Sequence, residues 1–95
     1  MRIALSQRVE QVQSYAETRD CLDRRWYDLM ATYGHHGIAV PNTPDITEDW
    51  CEQYDIEGII LTGGNDIAGQ PSATNISVER DKTERCLLNL SLIHI

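Results

Sequence analysis

Two adjacent glycines, Gly63 and Gly64, have the clearest potential for chemistry in this chain. Only Thr62 separates them from the apolar run Ile59-Ile60-Leu61, and Asn65-Asp66 follows them. A short apolar run without alternation is typical of a strand buried on both faces of a parallel sheet. Glycines at its carboxyl end leave backbone N–H groups accessible at the position where open α/β sheets bind ligands. A Gly-Gly turn that only reverses the chain is an equally good interpretation.

The cysteines and histidines do not form a recognisable catalytic or metal-binding pattern. Cys21, Cys51 and Cys86 are odd in number and widely spaced, which predicts neither a disulfide framework nor a zinc site and fits a reducing compartment. His35 and His36 are adjacent, so their side chains point apart, and no carboxylate follows at a ligand spacing. We therefore expect turn histidines, no metal site and no cofactor.

Composition restricts the class of protein. The chain has 95 residues, enough for one domain, with 41% hydrophobic and 24% charged residues, which are ordinary values for a globular protein. A net charge of −7 argues against a nucleic-acid or anionic-membrane surface. No apolar run has membrane-spanning length and no signal peptide is evident, so we expect a cytoplasmic protein.

Three strands and about three helices must position the glycines. Strands are expected at residues 2–6, 37–40 and 59–61. One apolar stripe predicts the first helix; it consists of Leu22, Trp26, Leu29, Met30 and Tyr33. Asp20 is expected to cap that helix and Gly34 to end it, Thr47 to cap a second, and Ser77 a third. The alternation of strands and helices predicts an α/β fold with a parallel sheet.

The polar stretch from Gln11 to Arg19 is expected to be a solvated loop, or alternatively a substrate-facing loop. Gln7 and Arg8 directly precede it and leave the carboxyl end of the first strand. They therefore lie on the rim expected for Gly63 and Gly64.

The glycine segment and a downstream charged motif together resemble a known enzyme family. The run Ile59-Ile60-Leu61-Thr62-Gly63-Gly64-Asn65-Asp66 is followed by Glu79-Arg80-Asp81 and by Glu84. This pattern resembles the class I glutamine-amidotransferase-like hydrolases, in particular the gamma-glutamyl-gamma-aminobutyrate hydrolase family (peptidase family C26). The stretches Ser6-Gln7-Arg8, Ser14-Tyr15, Glu17, Arg19-Asp20 and Leu22-Asp23 are similar to its gamma-glutamyl-CDP-amidate hydrolase branch. The resemblance covers residues 1–89.

The resemblance implies that the chain is the amino-terminal half of a doubly wound, flavodoxin-like sheet. It also implies that the parent protein has a Cys-His-Glu triad that acts on a small gamma-glutamyl substrate, and that the parent forms a homodimer. The glycine loop would supply backbone N–H groups of the oxyanion hole, from Gly63 and Gly64, with Gly64 as the donor itself. The substrate rim would include Gln7, Arg8, Tyr15 and Arg19. Arg8 or Arg19 would suit a phosphate-bearing substrate.

The departures from the family pattern concern its catalytic half. No Gly-x-Cys-x-Gly elbow occurs, and Cys86 lies between Arg85 and Leu87 inside an expected helix. We therefore expect an inactive fragment. The last six residues, 90–95, resemble the translation of a sequencing-library adapter, which predicts a non-native tail; the alternative is a native apolar end of the last helix.

Two other classes of function are compatible with the same residues. In the first, the chain is a non-catalytic α/β module that binds a phosphate or carboxylate through the Gly63-Gly64 loop. In the second, it is an interaction protein that uses the open side of its sheet.

Overall fold

A parallel sheet, an antiparallel hairpin and three helices make up the part of the chain described by the computed structural model. That part comprises residues 1–12, 14, 16–62 and 78–94, with side chains through residue 89. The elements in chain order are β1 Arg2–Leu5, β2 Arg8–Val12, β3 Glu17–Cys21, α1 Arg25–Thr32, β4 His36–Ala39, α2 Pro44–Gln53, β5 Gly58–Ile60 and α3 Val78–His94. Of the helices in these residues, none combines the length and the apolar character needed to cross a membrane.

The parallel sheet has the strand order β4-β1-β5, with β1 in the centre. Ile3 of β1 lies opposite Gly37 of β4 and Gly58 of β5. A Cβ at Gly37 would stand 2.9 Å from Leu5 Cδ1, and one at Gly58 would stand 2.8 Å from Ile3 Cδ1. Because neither glycine has a Cβ, the side chains of Leu5 and Ile3 can occupy the space beside them.

Helices cover both faces of this sheet, as expected for an α/β fold. On one face Ile3, Leu5 and Met30 form a buried cluster under α1. On the other face a second cluster lies under α2 and α3; it contains Ala4, Val40 and Leu87, with Trp50, Cys51, Ile56 and Ile59 packed against it. Successive residues of β1 alternate between the two clusters because side chains alternate along a strand.

The prediction of a solvated loop from Gln11 to Arg19 was wrong. β2 and β3 pair as an antiparallel hairpin, with Gln11 opposite Thr18 and Glu10 opposite Arg19. Most side chains of the hairpin are exposed, so no apolar alternation marks the strands in the sequence. The hairpin is polar because both of its faces are exposed to solvent, although its backbone is paired.

Two predicted helix caps were also wrong. Asp20 belongs to β3, and the N–H at the first turn of α1, that of Arg25, donates instead to Asp23 Oδ1 at 2.9 Å. α2 begins at Pro44, whose fixed φ suits a first helical position, so Thr47 is an interior residue that donates to the carbonyl of Thr43.

The predicted end of α1 was correct. Gly34 has a φ of 76°, the left-handed conformation that favours glycine after a helix. Ser77, expected to cap the last helix, lies outside the described residues.

Candidate functional site

The carboxyl ends of β1, β4 and β5 meet at one border of the sheet because the three strands are parallel. We call the residues that follow them the carboxyl edge, and define it as Ser6, Gln7, Val40, Asn42 and Thr62. The backbone extends the sheet slightly here: the N–H of Ser6 donates to Ile60 O at 3.1 Å. Ligands of open α/β sheets bind beyond such an edge.

Ser6 and Thr62 form a reciprocal pair at the edge between β1 and β5. Ser6 Oγ accepts the Thr62 N–H at 2.8 Å, and Thr62 Oγ1 donates to the Ser6 carbonyl at 2.7 Å. Ser6 is fully buried and Thr62 nearly so. Buried hydrogen bonds of this kind fix the backbone that leads directly into Gly63.

A buried arginine on α3 contacts the same residue. The guanidinium of Arg80 donates through Nη2 to the carbonyl of Thr62 and lies 3.4 Å from Thr62 Oγ1. The Arg80 side chain is 2% exposed, and Nη2 lies 3.4 Å from Glu84 Oε2, whose side chain is 17% exposed. A charge this deeply buried requires compensation by a partner charge and hydrogen bonds. Glu84 and the Thr62 carbonyl provide both.

A second polar network joins the hairpin to the edge between β1 and β4. Asn42 Nδ2 donates to the Gln7 carbonyl and to Asp20 Oδ1, each at 3.0 Å, and the Asn42 N–H donates to Asp20 Oδ2 at 3.0 Å. Gln7 Nε2 donates to Val40 O at 2.8 Å. Asn42 therefore holds both the chain that enters the β2–β3 hairpin and the strand that leaves it.

Asn42 also has an acceptor that no described residue satisfies. Asn42 is 8% exposed, and its Oδ1 is buried without a hydrogen-bond partner among the described residues. Leaving a buried acceptor unsatisfied costs about 1–3 kcal/mol, so a hydrogen-bond donor that reached Asn42 Oδ1 would stabilise this part of the carboxyl edge.

The predicted substrate-rim residues fall in two places. Gln7 lies at the carboxyl edge, whereas Arg8 and Arg19 lie on one face of the hairpin, opposite Cys21 and Glu10 respectively. Asp20 points to the other face, because neighbouring residues in a strand alternate. Tyr15, Gly63 and Gly64 lie outside the described residues.

Both arginines of the hairpin are ion-paired with a glutamate of their own strand. Arg8 Nε lies 2.8 Å from Glu10 Oε1, and Arg19 Nε lies 2.6 Å from Glu17 Oε1. All four side chains are substantially exposed, so water weakens the pairs. An anion that binds either arginine must displace a glutamate that is only weakly held.

The thiols lack the environment of an activated nucleophile. Burial, followed by the charge of Glu10, raises the pKa of Cys21, whose Sγ donates to Glu10 Oε2 at 3.6 Å. Burial also raises the pKa of Cys51 and of Cys86. Each is therefore mostly the neutral thiol at neutral pH, whereas nucleophilic cysteines have a lowered pKa. Within the described ranges, no three His, Cys, Asp or Glu side chains are grouped to hold a metal ion.

Sequence reasoning did not identify Asn42 as a site residue and assigned Asp20 to a different role. One signal was available, since Asn42 follows the second parallel strand and polar residues after such strands collect at the carboxyl edge. The pairing with Asp20 had no sequence signal.

Comparison with known proteins assigns neither a family nor a function to this chain. No protein-family model matches the chain, and no curated protein matches it significantly.

Proposed function

We propose that this chain is the amino-terminal half of a cysteine hydrolase that cleaves gamma-glutamyl amide bonds, with an oxyanion-hole donor in the Gly63-Gly64 loop. One observation carries the proposal. Arg80, from the Arg-Asp-x-x-Glu motif, donates to the carbonyl of Thr62, which directly precedes the glycines. Thr62 and Arg80, one from each motif behind the resemblance, are 18 residues apart in sequence and form one buried contact.

The strand order supports the doubly wound part of the proposal. In chain order the parallel strands are β1, β4 and β5, and their order in the sheet is second, first, third. Flavodoxin-like sheets begin with that order, and their ligands bind at the carboxyl ends where the crossovers diverge to opposite faces. Here α1 lies on one face, and α2 and α3 lie on the other.

The contact between Arg80 and Thr62 has a chemical role in this proposal. A peptide unit is planar, so a guanidinium that holds the Thr62 carbonyl also orients the unit that Thr62 shares with Gly63. Donors held in place before the reaction stabilise an oxyanion without reorganisation, and removal of one costs about 2.7–4 kcal/mol. Arg80 is thus proposed as a positioning residue for the peptide unit that enters the glycine loop, and the proposed donor, the Gly64 N–H, belongs to the next peptide unit along the chain.

The reaction itself requires groups beyond those of this chain. A thiolate on a Gly-x-Cys-x-Gly elbow attacks the amide carbon, and a histidine donates the proton that leaves with the amine. Water then hydrolyses the thioester and releases glutamate. The 95-residue chain should therefore show no turnover of a gamma-glutamyl anilide above a control in which its three cysteines are replaced by alanine.

Specificity is proposed to come from the rim residues Gln7, Arg8, Tyr15 and Arg19. A phosphate-bearing substrate would compete with Glu17 for Arg19. In a protein that carries the catalytic half, Arg19→Ala should raise KM for phosphate-containing substrates while leaving KM for a small neutral gamma-glutamyl amide unchanged. An equal rise in KM for both kinds of substrate would show that Arg19 does not determine the specificity for phosphate.

The deciding experiment is to sequence the source DNA past the codon for Asn89. The proposal expects a reading frame that continues into a Gly-x-Cys-x-Gly elbow and then a histidine and a glutamate. A native frame that stops after Ile95 would refute it, and the glycine loop would then be tested for binding of inorganic phosphate and nucleotides.

The oxyanion role is tested in the continuous reading frame by a matched pair at one position. Gly64→Pro removes the N–H, and Gly64→Ala retains it. We expect the proline variant to have a kcat about 10²–10³-fold lower and the alanine variant to retain most activity. If both variants lose activity equally, with unchanged thermal unfolding, the donor is not the Gly64 N–H.

A further inference from the structure

β5 has one paired side and one open side. Within the part of the chain that the structure describes, β5 is an outer strand of the parallel sheet and pairs with β1 alone. The N–H of Ser6 donates to the carbonyl of Ile60 at 3.1 Å, and the N–H of Thr62 donates to Ser6 Oγ at 2.8 Å. Because backbone groups of successive strand residues point to opposite sides, the N–H and C=O groups of Ile59 and Leu61 point away from β1. We call residues 59–61 the β5 edge.

The β5 edge is apolar and carries no protection against pairing in its own sequence. Ile59 and Ile60 pack against the clusters on opposite faces of the sheet, and Leu61 is 41% exposed. Residues 58–62 include no charged residue and no proline, although the chain has a net charge of −7. Charged side chains and prolines are the usual means of keeping edge strands apart. This edge is therefore a template for a further strand.

The opposite border of the sheet, along β4, is a poorer template. The N–H groups of His36 and Val40 donate to carbonyls of the adjacent chain that carries β1. By the same alternation, the outward backbone groups of β4 are those of Gly37 and Ala39. Glycine and alanine are depleted in strands, whereas isoleucine is enriched, so β5 is favoured over β4 as the site of pairing.

We propose that two copies of this chain pair through the β5 edge as antiparallel strands related by a twofold axis. In this register Ile60 lies opposite Ile60 of the second copy, and Ile59 lies opposite Leu61 of the second copy. Residues opposite each other at such positions exchange both of their backbone hydrogen bonds. Each outward N–H and C=O group of the β5 edge thereby gains a partner. A twofold interface must use the same surface on both copies, and this register does so.

The side chains and charges of the β5 edge are also complementary to their own copy. Ile59 and Leu61 share the face of the sheet under α2 and α3, because side chains alternate along a strand. Across the twofold axis each contacts an apolar residue at the distance of a cross-strand pair, and no like charges lie opposite each other. The proposal concerns the association of the 95-residue chain and does not rest on the proposed hydrolase function.

The first experiment measures association of the chain by sedimentation equilibrium over a wide range of concentration. We expect an equilibrium between monomer and dimer. Leu61→Lys places a charge at the β5 edge and should weaken the dimer at least about tenfold. Leu29→Lys is the matched control: Leu29 is 43% exposed on α1, and the substitution changes the net charge equally, so it should leave the dimer unchanged.

A second variant tests the backbone hydrogen bonds. Leu61→Pro removes an outward N–H that the monomer does not use, and an edge strand tolerates proline at such a position. It should weaken the dimer while the amides that join β1 to β5 stay protected from hydrogen exchange, which shows that the variant is folded.

Hydrogen exchange at several protein concentrations locates the interface. Protection of the Ile59 and Leu61 amides should rise with concentration, while that of the Gly37 and Ala39 amides should not. Three outcomes would overturn the proposal: a monomer at every concentration, a dimer that Leu29→Lys weakens as much as Leu61→Lys does, or concentration-dependent protection at Gly37 and Ala39 in place of the β5 edge.

Discussion

Replacing Arg80 by methionine tests whether the buried guanidinium stabilises the carboxyl edge. The substitution keeps most of the aliphatic volume but leaves the Thr62 carbonyl and the Glu84 carboxylate without their donor. Removing one partner of a buried ion pair costs about 3–5 kcal/mol. Because the Glu84 side chain retains 17% exposure, we expect the lower end, about 3 kcal/mol, which corresponds to about 12–24 °C in Tm for a domain of this size.

The assay is urea unfolding followed by tryptophan fluorescence. Trp26 packs against the cluster under α1, and Trp50 against the cluster under α2 and α3, so the two indoles report on both faces of the sheet. A matched control is Arg85→Met, because Arg85 is an exposed arginine on the same helix. Exposed substitutions of this kind usually change stability by no more than about 0.5 kcal/mol.

A double variant separates the charge from the packing. Arg80→Met combined with Glu84→Leu leaves no stranded carboxylate, so it should be more stable than Arg80→Met alone. The reasoning is refuted if the free energies of unfolding of Arg80→Met and Arg85→Met differ by no more than about 0.5 kcal/mol. It is also refuted if removing the carboxylate of Glu84 in the double variant recovers no stability.

Three further predictions concern the hairpin, α1 and the sheet. Asp20→Ala should increase amide hydrogen exchange in β2 and β3 while leaving β1 unchanged, because it removes the two carboxylate oxygens that accept hydrogen bonds from Asn42; unchanged exchange in β2 and β3 would show that Asp20 does not hold the hairpin. Hydrogen bonds from Arg25 lower the pKa of Asp23 from 3.8 to about 2, so its contribution to stability is complete above pH 4 and is lost as the pH falls towards 2. Asp23→Asn should therefore differ from the parent at neutral pH and converge with it below pH 2 in acid unfolding. Gly37→Ala should destabilise the fold by about 1–3 kcal/mol through overpacking, measured by urea unfolding, with Gly34→Asn as a control that tolerates positive φ.

Local patterns in the sequence were sufficient for the sheet and for most of the helices. The apolar runs at residues 2–6, 37–40 and 59–61 predicted the three parallel strands, and the alternation of elements predicted helices between them. The signal is clearest for β1, the central strand of the described sheet, because burial of a strand on both faces requires apolar residues at successive positions. The stripe from Leu22 to Tyr33 likewise predicted α1, although its start was placed too early because Asp20 was taken as its cap.

The hairpin and the polar contacts of the carboxyl edge were decided by tertiary structure alone. Asn42 reaches Asp20 and Gln7 across 22 and 35 residues of sequence. Arg80 is charged and sits in a polar stretch of the sequence, yet its side chain is 2% exposed because α3 places it under the end of β5. Periodicity reports how a segment meets solvent, whereas a buried polar pair depends on which distant segment supplies its partner, and only the folded chain determines that.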